Sequence, residues 1–109
     1  LAGLAQLAKD NPDNGAIQEK YADLLLAAGD APSLKLALDR WRIIASRTTP
    51  RTPRWYKAKY SVAQAQFKQG DRSGSATLLK YLLETPPGLK GTAWEVPCAE
   101  LLRQCESTK

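Results

Sequence analysis

Two Gly-Asp dipeptides, at positions 29–30 and 70–71, divide the chain into similar units. Each dipeptide follows one helix-like stretch and precedes a second stretch that runs to a proline. The first unit reads EKYADLLLAAGD and then LKLALDRWRIIASRTTP, and the second reads KYSVAQAQFKQGD and then SATLLKYLLETPP. Gly29 and Gly70 lie 41 residues apart, a period typical of stacked helical hairpins. The repeat therefore predicts a stack of paired helices.

Residues that favour β-strands are scarce. Isoleucine occurs only at positions 17, 43 and 44, and valine only at 62 and 96. Ala, Leu, Lys, Arg, Gln and Glu dominate instead, and these residues lose little side-chain freedom in a helix. A chain of 109 residues is long enough to bury a core of its own. We therefore expect a single all-α domain.

Capping residues and prolines set the predicted helix boundaries. Asp13 or Asn14 is a candidate N-cap, and Thr52 precedes Pro53 at a first helical position. The glycine of each Gly-Asp pair can end a helix in the left-handed conformation. The linker 48–53, with two prolines and three threonines, is the clearest break. The pattern predicts helices at about 1–9, 15–28, 32–46, 53–69, 73–84 and 92–105, with Pro97 in the first turn of the last helix or splitting it.

The repeated units resemble tetratricopeptide repeats, which have a small residue in the first helix, a Gly-Asp turn, a small residue early in the second helix and a closing proline. The matching residues are Ala22, Gly29-Asp30, Ala37, Trp41 and Pro50 in the first unit, and Ala63, Gly70-Asp71, Ala76, Leu79 and Pro86 or Pro87 in the second. Gln18 and Lys59 replace the usual aromatic residue, and Ala31–Ser33 is read as an insertion. The resemblance implies close helix pairs whose first helices line a concave groove.

The predicted domain organisation follows from the same units. We expect residues 1–12 to form a half-repeat, 13–50 and 51–87 to form repeats, and 88–109 to form a C-terminal capping helix. The chain starts at Leu1 without methionine, so we read it as a fragment of a longer protein. Open repeat ends would expose apolar faces, which makes self-association one candidate role.

The groove implied by the resemblance is the first candidate site. Counting back from Gly70 places a mixed polar and aromatic stripe on the inner face of the fourth helix: Lys57, Tyr60, Ser61, Gln64, Phe67 and Lys68. Of these we select Lys57, Tyr60, Gln64, Phe67 and Lys68 as partner-binding residues. Amide and ammonium groups can hold peptide carbonyls, and rings can cover apolar side chains. The alternative is that the rings pack between helices and the lysines are solvated.

The second helix contributes a different stripe. The equivalent positions are Ala16, Glu19, Asp23, Leu26 and Ala27. Glu19 and Asp23 are read as a solvated face whose repulsion Lys20 eases. Two carboxylates beside the groove disfavour an anionic ligand, so a peptide with mixed or positive charge fits better.

A basic segment provides an alternative function. Seven arginines and lysines lie between positions 40 and 59, with Trp41, Trp55 and Tyr56 among them and no acidic residue. Such a segment can contact phosphates, with Arg47, Arg51 and Arg54 as candidate contacts to nucleic acid or another polyanion. The other reading is an ordinary basic surface, or a contact with the rest of the parent protein.

The sequence offers little for catalysis. The chain has no histidine, the residue most used for proton transfer near neutral pH. Cys98 and Cys105 are seven residues apart, about 10 Å along a helix, too far for a disulfide and more consistent with core positions. No apolar run approaches the roughly 20 residues of a membrane span. We therefore expect a protein or peptide partner, no enzymatic activity, no metal, no cofactor and no membrane insertion.

Overall fold

The computed structural model describes residues 2–85 and 88–107, and in these ranges the chain forms six α-helices and no β-strand. The predicted all-α class is confirmed. Prolines 86 and 87, the closing prolines of the second predicted unit, lie outside the described residues. The helices are α1 (Ala2–Asp10), α2 (Gly15–Ala28), α3 (Ala31–Ser46), α4 (Pro53–Lys68), α5 (Arg72–Glu84) and α6 (Glu95–Glu106).

The Gly-Asp pairs are the turns between paired helices. Gly29 and Gly70 have φ of 76° and 90°, the left-handed conformation that favours glycine. Each following aspartate is the N-cap of the next helix: Asp30 accepts a hydrogen bond from the Ser33 N–H at 3.1 Å, and Asp71 accepts one from the Gly74 N–H at 2.9 Å. In each dipeptide, glycine therefore ends one helix and aspartate starts the next.

Two further N-caps, those of α2 and α4, also follow the sequence. Asn14 accepts a hydrogen bond from the Ile17 N–H at 3.1 Å, and Thr52 accepts one from the Trp55 N–H at 3.3 Å. Pro53 takes the first position of α4, where its missing N–H removes no intrahelical bond. These caps explain why α2 and α4 begin where predicted.

The third helix begins one residue earlier than predicted, and the last helix begins later. Residues Ala31–Ser33, read as an insertion, form the first turn of α3, because Asp30 caps this helix directly and Pro32 fits its first turn. α3 is accordingly longer than α5, with 16 residues against 13. The last helix starts at Glu95 rather than near Thr92, with Pro97 in its first turn, so the proline does not split it.

The helices pack against their chain neighbours in two layers. Contacts join α1 to α2, α2 to α3, α3 to α4, α4 to α5 and α5 to α6, and α4 also contacts α6. The two-residue connection between α2 and α3 makes that pair antiparallel. The Cα envelope measures 38 × 33 × 17 Å, and its short dimension fits two helices of about 10 Å diameter. α4 contacts α6, and ion pairs with Glu19 and Asp23 join the start of α4 to α2.

Two apolar clusters form the core. The first surrounds Trp41, which is fully buried, and the second contains Leu79 and Leu82, also fully buried. Ala22 and Ala63, the small residues of the repeat pattern, have no exposed surface, as close helix pairs require. Replacing Trp41 by alanine would cost about 3–5 kcal/mol of stability.

The helical spacing of apolar residues predicts that Ile17, Tyr21, Leu24, Leu25 and Ala28 form the buried stripe of α2, and the observed stripe is rotated from this position. Leu24 and Ala28 are exposed, whereas Leu26, expected to face the groove, is 8% exposed. Three consecutive leucines at 24–26 cover about 200° of the helix surface, so they cannot all face one core. Leu25 and Leu26 are the buried leucines because they lie on the same face as Gln18 and Tyr21. This face of α2 packs against α1 and α3.

Candidate functional site

The C-terminal half of α4 forms one wall of a cleft with α6. Four of the five predicted partner-binding residues line it together: Tyr60, Gln64, Phe67 and Lys68. Their spacing of three and four residues places them on one face of the helix. The opposite wall comes from Pro97, Glu100, Leu101 and Gln104 of α6, and the enclosed volume is about 210 Å³. We call this the α4–α6 groove.

Tyr60 anchors one end of the α4–α6 groove. Its ring packs against the Trp94 ring at 5.7 Å between centroids, and the Gln64 amide nitrogen lies 3.5 Å from its hydroxyl oxygen. Burial raises the pKa of the Tyr60 hydroxyl, and repulsion from the Cys98 sulfur, once that thiol ionises, raises it further. The hydroxyl therefore stays protonated at neutral pH and can donate a hydrogen bond.

The other end combines an apolar ring with cations. Phe67 is partly buried, and the Arg72 guanidinium carbon lies 5.3 Å from the centre of its ring. Arg72 is held in place by donating to the Ser107 carbonyl oxygen at 2.6 Å. Lys68 is exposed at the end of α4. This end can accept an apolar side chain on the ring and a carboxylate near the cations.

Lys57, the fifth predicted residue, lies outside the α4–α6 groove. Its ammonium group pairs with Asp23 at 3.2 Å and lies 5.6 Å from the centre of the Trp41 ring. Ser61, also placed on the predicted stripe, is 3% exposed and belongs to the interior. The predicted stripe therefore splits, with its N-terminal part turned toward α2 and its C-terminal part toward α6.

The carboxylates of α2 are paired across the helix layer. Glu19 forms an ion pair with Arg54, and its side chain is only 17% exposed. Asp23 pairs with Lys57. The interpretation of Glu19 and Asp23 as a solvated face is therefore wrong for Glu19, whereas the Asp23 side chain remains 48% exposed although it pairs with Lys57. These pairs also neutralise the charge that was expected to repel an anionic ligand.

The three arginines of the predicted basic patch do not form one free surface. Arg47 lies 3.7 Å from Asp13, in an exposed contact. Arg54 is paired with Glu19, and Arg51 lies over the rings of Trp55 and Tyr81. The guanidinium carbon of Arg51 is 5.3 Å from one ring centre and 5.9 Å from the other. Arg47 and Arg54 line a common cavity, from which Arg51 is separate.

The two cysteines are part of the protein interior. Cys98 and Cys105 are free and buried, as their helical spacing predicted. Burial raises the pKa of the Cys98 thiol to about 11, which keeps it protonated and unreactive at neutral pH.

In residues 2–85 and 88–107, no three His, Cys, Asp or Glu side chains come together in a way that would hold a metal ion. Each helix of this part of the chain is too short or too polar to traverse a bilayer.

Sequence reasoning missed the α6 side of the groove and a buried glutamine. Glu100 and Gln104 lie four residues apart on α6, and this spacing indicates that they share one polar face of the helix. Gln18 was treated only as a departure from the family pattern. It is 7% exposed and donates to the carbonyl oxygens of Ala8 at 2.7 Å and Asn11 at 3.0 Å, which ties α1 to α2. The sequence feature that could have indicated this role is that Gln18 is a polar residue on an otherwise apolar stripe of α2.

No family model matches this chain, and comparisons with curated proteins and with solved structures found no match.

Proposed function

We propose that this chain is a tetratricopeptide-like, non-catalytic interaction module that binds an extended peptide in the α4–α6 groove. The observation that carries the proposal is that Tyr60, Gln64, Phe67 and Lys68 line one cleft with a polar face of α6. The repeated Gly-Asp turns and the buried Ala22 and Ala63 support the family reading.

The length of the groove fits a short peptide segment. Tyr60 and Lys68 are eight residues apart on α4, about 12 Å along the axis. An extended peptide covers that distance with about four residues. Recognition would therefore rest on a short linear motif.

The chemistry of the walls defines the motif. Gln64 on one wall and Gln104 on the other each offer an amide that donates and accepts, which suits a peptide backbone between them. Phe67 and Leu101 provide an apolar surface for one side chain. Lys68 can pair with a carboxylate of the ligand. The proposed ligand is an extended peptide with an apolar residue followed closely by an acidic residue.

Selection from a random peptide library, followed by fluorescence polarisation with the selected peptides, tests the proposal. We expect Gln64→Ala, Phe67→Ala and Lys68→Ala each to weaken binding about ten-fold or more. Gln69→Ala and Lys35→Ala are matched controls, because both residues are exposed and neither lines the groove. Helicity and melting temperature of every variant are measured by circular dichroism.

The proposal fails if the groove and control variants bind selected peptides equally well. It also fails if the selected peptides share no apolar-acidic motif. Because Phe67 also packs against its neighbours, the exposed Lys68 gives the clearest reading, since its loss leaves the core intact.

A further inference from the structure

A second cavity, of about 300 Å³, lies where α2 and α4 begin and α3 ends. Three arginines line it: Arg40 from α3, Arg47 from the C-cap of α3, and Arg54 from the first turn of α4. We call these three residues and the space between them the arginine pocket. Its remaining walls are formed by Pro12, Asp13, Gly15, Gln18, Ile43, Ile44 and Thr48.

A buried glutamine fixes one side of the arginine pocket. The side-chain oxygen of Gln18 accepts a hydrogen bond from Arg40 Nη1 at 3.3 Å. The amide nitrogen of Gln18 donates to Ala8 and Asn11, so the whole side chain is held in one orientation. Arg40 also lies over the Tyr21 ring at 5.5 Å. Arg40 is therefore positioned before any ligand binds, while most of its five N–H groups remain available.

The guanidinium groups of Arg47 and Arg54 are each held by a contact through one of their nitrogen atoms. Arg47 Nη1 donates to the Pro12 carbonyl oxygen at 3.2 Å, and Arg54 Nε contacts Glu19. The Asp13 carboxylate is 97% exposed and 3.7 Å from Arg47, so it neutralises little of the charge. Three arginines face two carboxylates, Glu19 and Asp13, so the pocket keeps a net positive charge.

The start of α2 adds to this field. Gly15 is the first residue of α2 and lies in the pocket wall. The first N–H groups of a helix have no intrahelical partner, and the helix dipole favours an anion there. Any Cβ at Gly15 would collide with the Arg54 guanidinium, so only glycine leaves that side chain its present place.

We propose that the arginine pocket binds the phosphoryl group of a small phosphate monoester. Guanidinium groups present paired N–H donors that match phosphate oxygens, and three of them can surround a dianion. The volume is at the lower end of ligand pockets, which suits a compact molecule better than a nucleic-acid strand. This inference does not depend on the peptide groove.

Titration of the ¹⁵N-labelled chain with glycerol 2-phosphate at pH 7.5 tests the inference, with inorganic phosphate in a parallel titration. Sodium chloride keeps the ionic strength constant in the phosphate titrations. A separate titration with sodium chloride tests chloride, and glycerol serves as the uncharged control. We expect both phosphates to cause saturable shifts of the Gly15, Ala16 and Arg47 amides. Glycerol and chloride should leave these amides unshifted.

Two variants separate a built site from general attraction to a basic protein. Arg47→Gln should weaken glycerol 2-phosphate binding about ten-fold or more, whereas Arg42→Gln, the same change outside the pocket, should leave it within two-fold. Gly15→Ala keeps every charge but displaces Arg54, and should also weaken binding. Arg42 and Arg47 are exposed, and melting temperatures verify that each of the three variants is folded.

The inference is overturned if the shifts rise linearly without saturation, or if chloride produces the same shifts. Equal weakening by Arg42→Gln and Arg47→Gln would also overturn it, since only net charge would then matter. Binding of inorganic phosphate without glycerol 2-phosphate would exclude a monoester. Peptide binding in the α4–α6 groove is measured in a separate experiment. A negative result for one site therefore does not affect the test of the other.

Discussion

Gly70→Ala isolates the backbone requirement of the second Gly-Asp turn. Gly70 has φ of 90°, and a Cβ built on it meets no described atom within 4 Å. The substitution therefore adds conformational strain without a steric clash. The left-handed conformation costs an L-residue about 1–2 kcal/mol, so we expect the free energy of unfolding to fall by that amount. In a domain of this size the loss corresponds to a melting temperature lower by about 5–10 °C.

Gly3 provides the matched control for this substitution. It lies inside α1, and a Cβ added there also meets no described atom within 4 Å. Alanine is favoured over glycine in a helix by about 0.5–1 kcal/mol, so Gly3→Ala should stabilise the protein or leave it unchanged. At two uncrowded positions, the same chemical change is thus expected to destabilise the protein only where the backbone is left-handed.

Urea unfolding followed by circular dichroism measures both variants. Gly70→Asn is a third point on the same scale, because asparagine tolerates the left-handed conformation and should recover part of the loss. If Gly70→Ala were as stable as the parent, or gained as much as Gly3→Ala, the turn would not need its positive φ. The assignment of Gly70 as a required helix-terminating residue would then be wrong.

Three other substitutions probe the interior. Because burial raises the pKa of the Cys98 thiol from 9.0 to about 11, the folded state keeps a proton that the unfolded state releases. The free energy of unfolding should therefore fall by about 2 kcal/mol between pH 9 and pH 11. In Cys98→Ala this decrease should be smaller, as measured by urea unfolding at both pH values. Ala63→Leu should cost about 1–3 kcal/mol because the site is fully buried, whereas Ala28→Leu, at an exposed site, should stay within about 0.5 kcal/mol. Ser75→Ala removes a buried 2.8 Å hydrogen bond to the Ala63 carbonyl oxygen and should cost about 1 kcal/mol by thermal unfolding.

The helices could be predicted because their signals are local. The N-cap side chains of Asn14, Thr52 and Asp71 each bond an N–H three residues ahead, so the residues that decide a boundary are near each other in sequence. The last helix was predicted less well. Its N-cap position holds Trp94, which makes no capping bond through its side chain, so no polar residue marked the start.

The pairing of charged residues could not be predicted in the same way. Glu19 and Arg54 are 35 residues apart, and Asp23 and Lys57 are 34 apart. Which side chains meet depends on how α2 and α4 lie side by side, and a single-helix pattern contains no information on that register. The α6 wall of the groove was missed for a related reason, because which side chains of α6 face α4 also depends on how these two helices lie side by side.

The division of the α4 stripe explains why the groove occupies only half of that helix. Arg54 and Lys57 face carboxylates of α2, and these ion pairs occupy the polar groups between the two helices. Further along, Gln64 and Lys68 face α6, where Glu100 pairs within its own helix to Arg103. The polar groups of α4 in this part therefore remain available to a ligand. The same face of α4 thus meets α2 through ion pairs at its start, because carboxylates of α2 lie opposite its cations, whereas further along it faces α6, whose Glu100 pairs within its own helix.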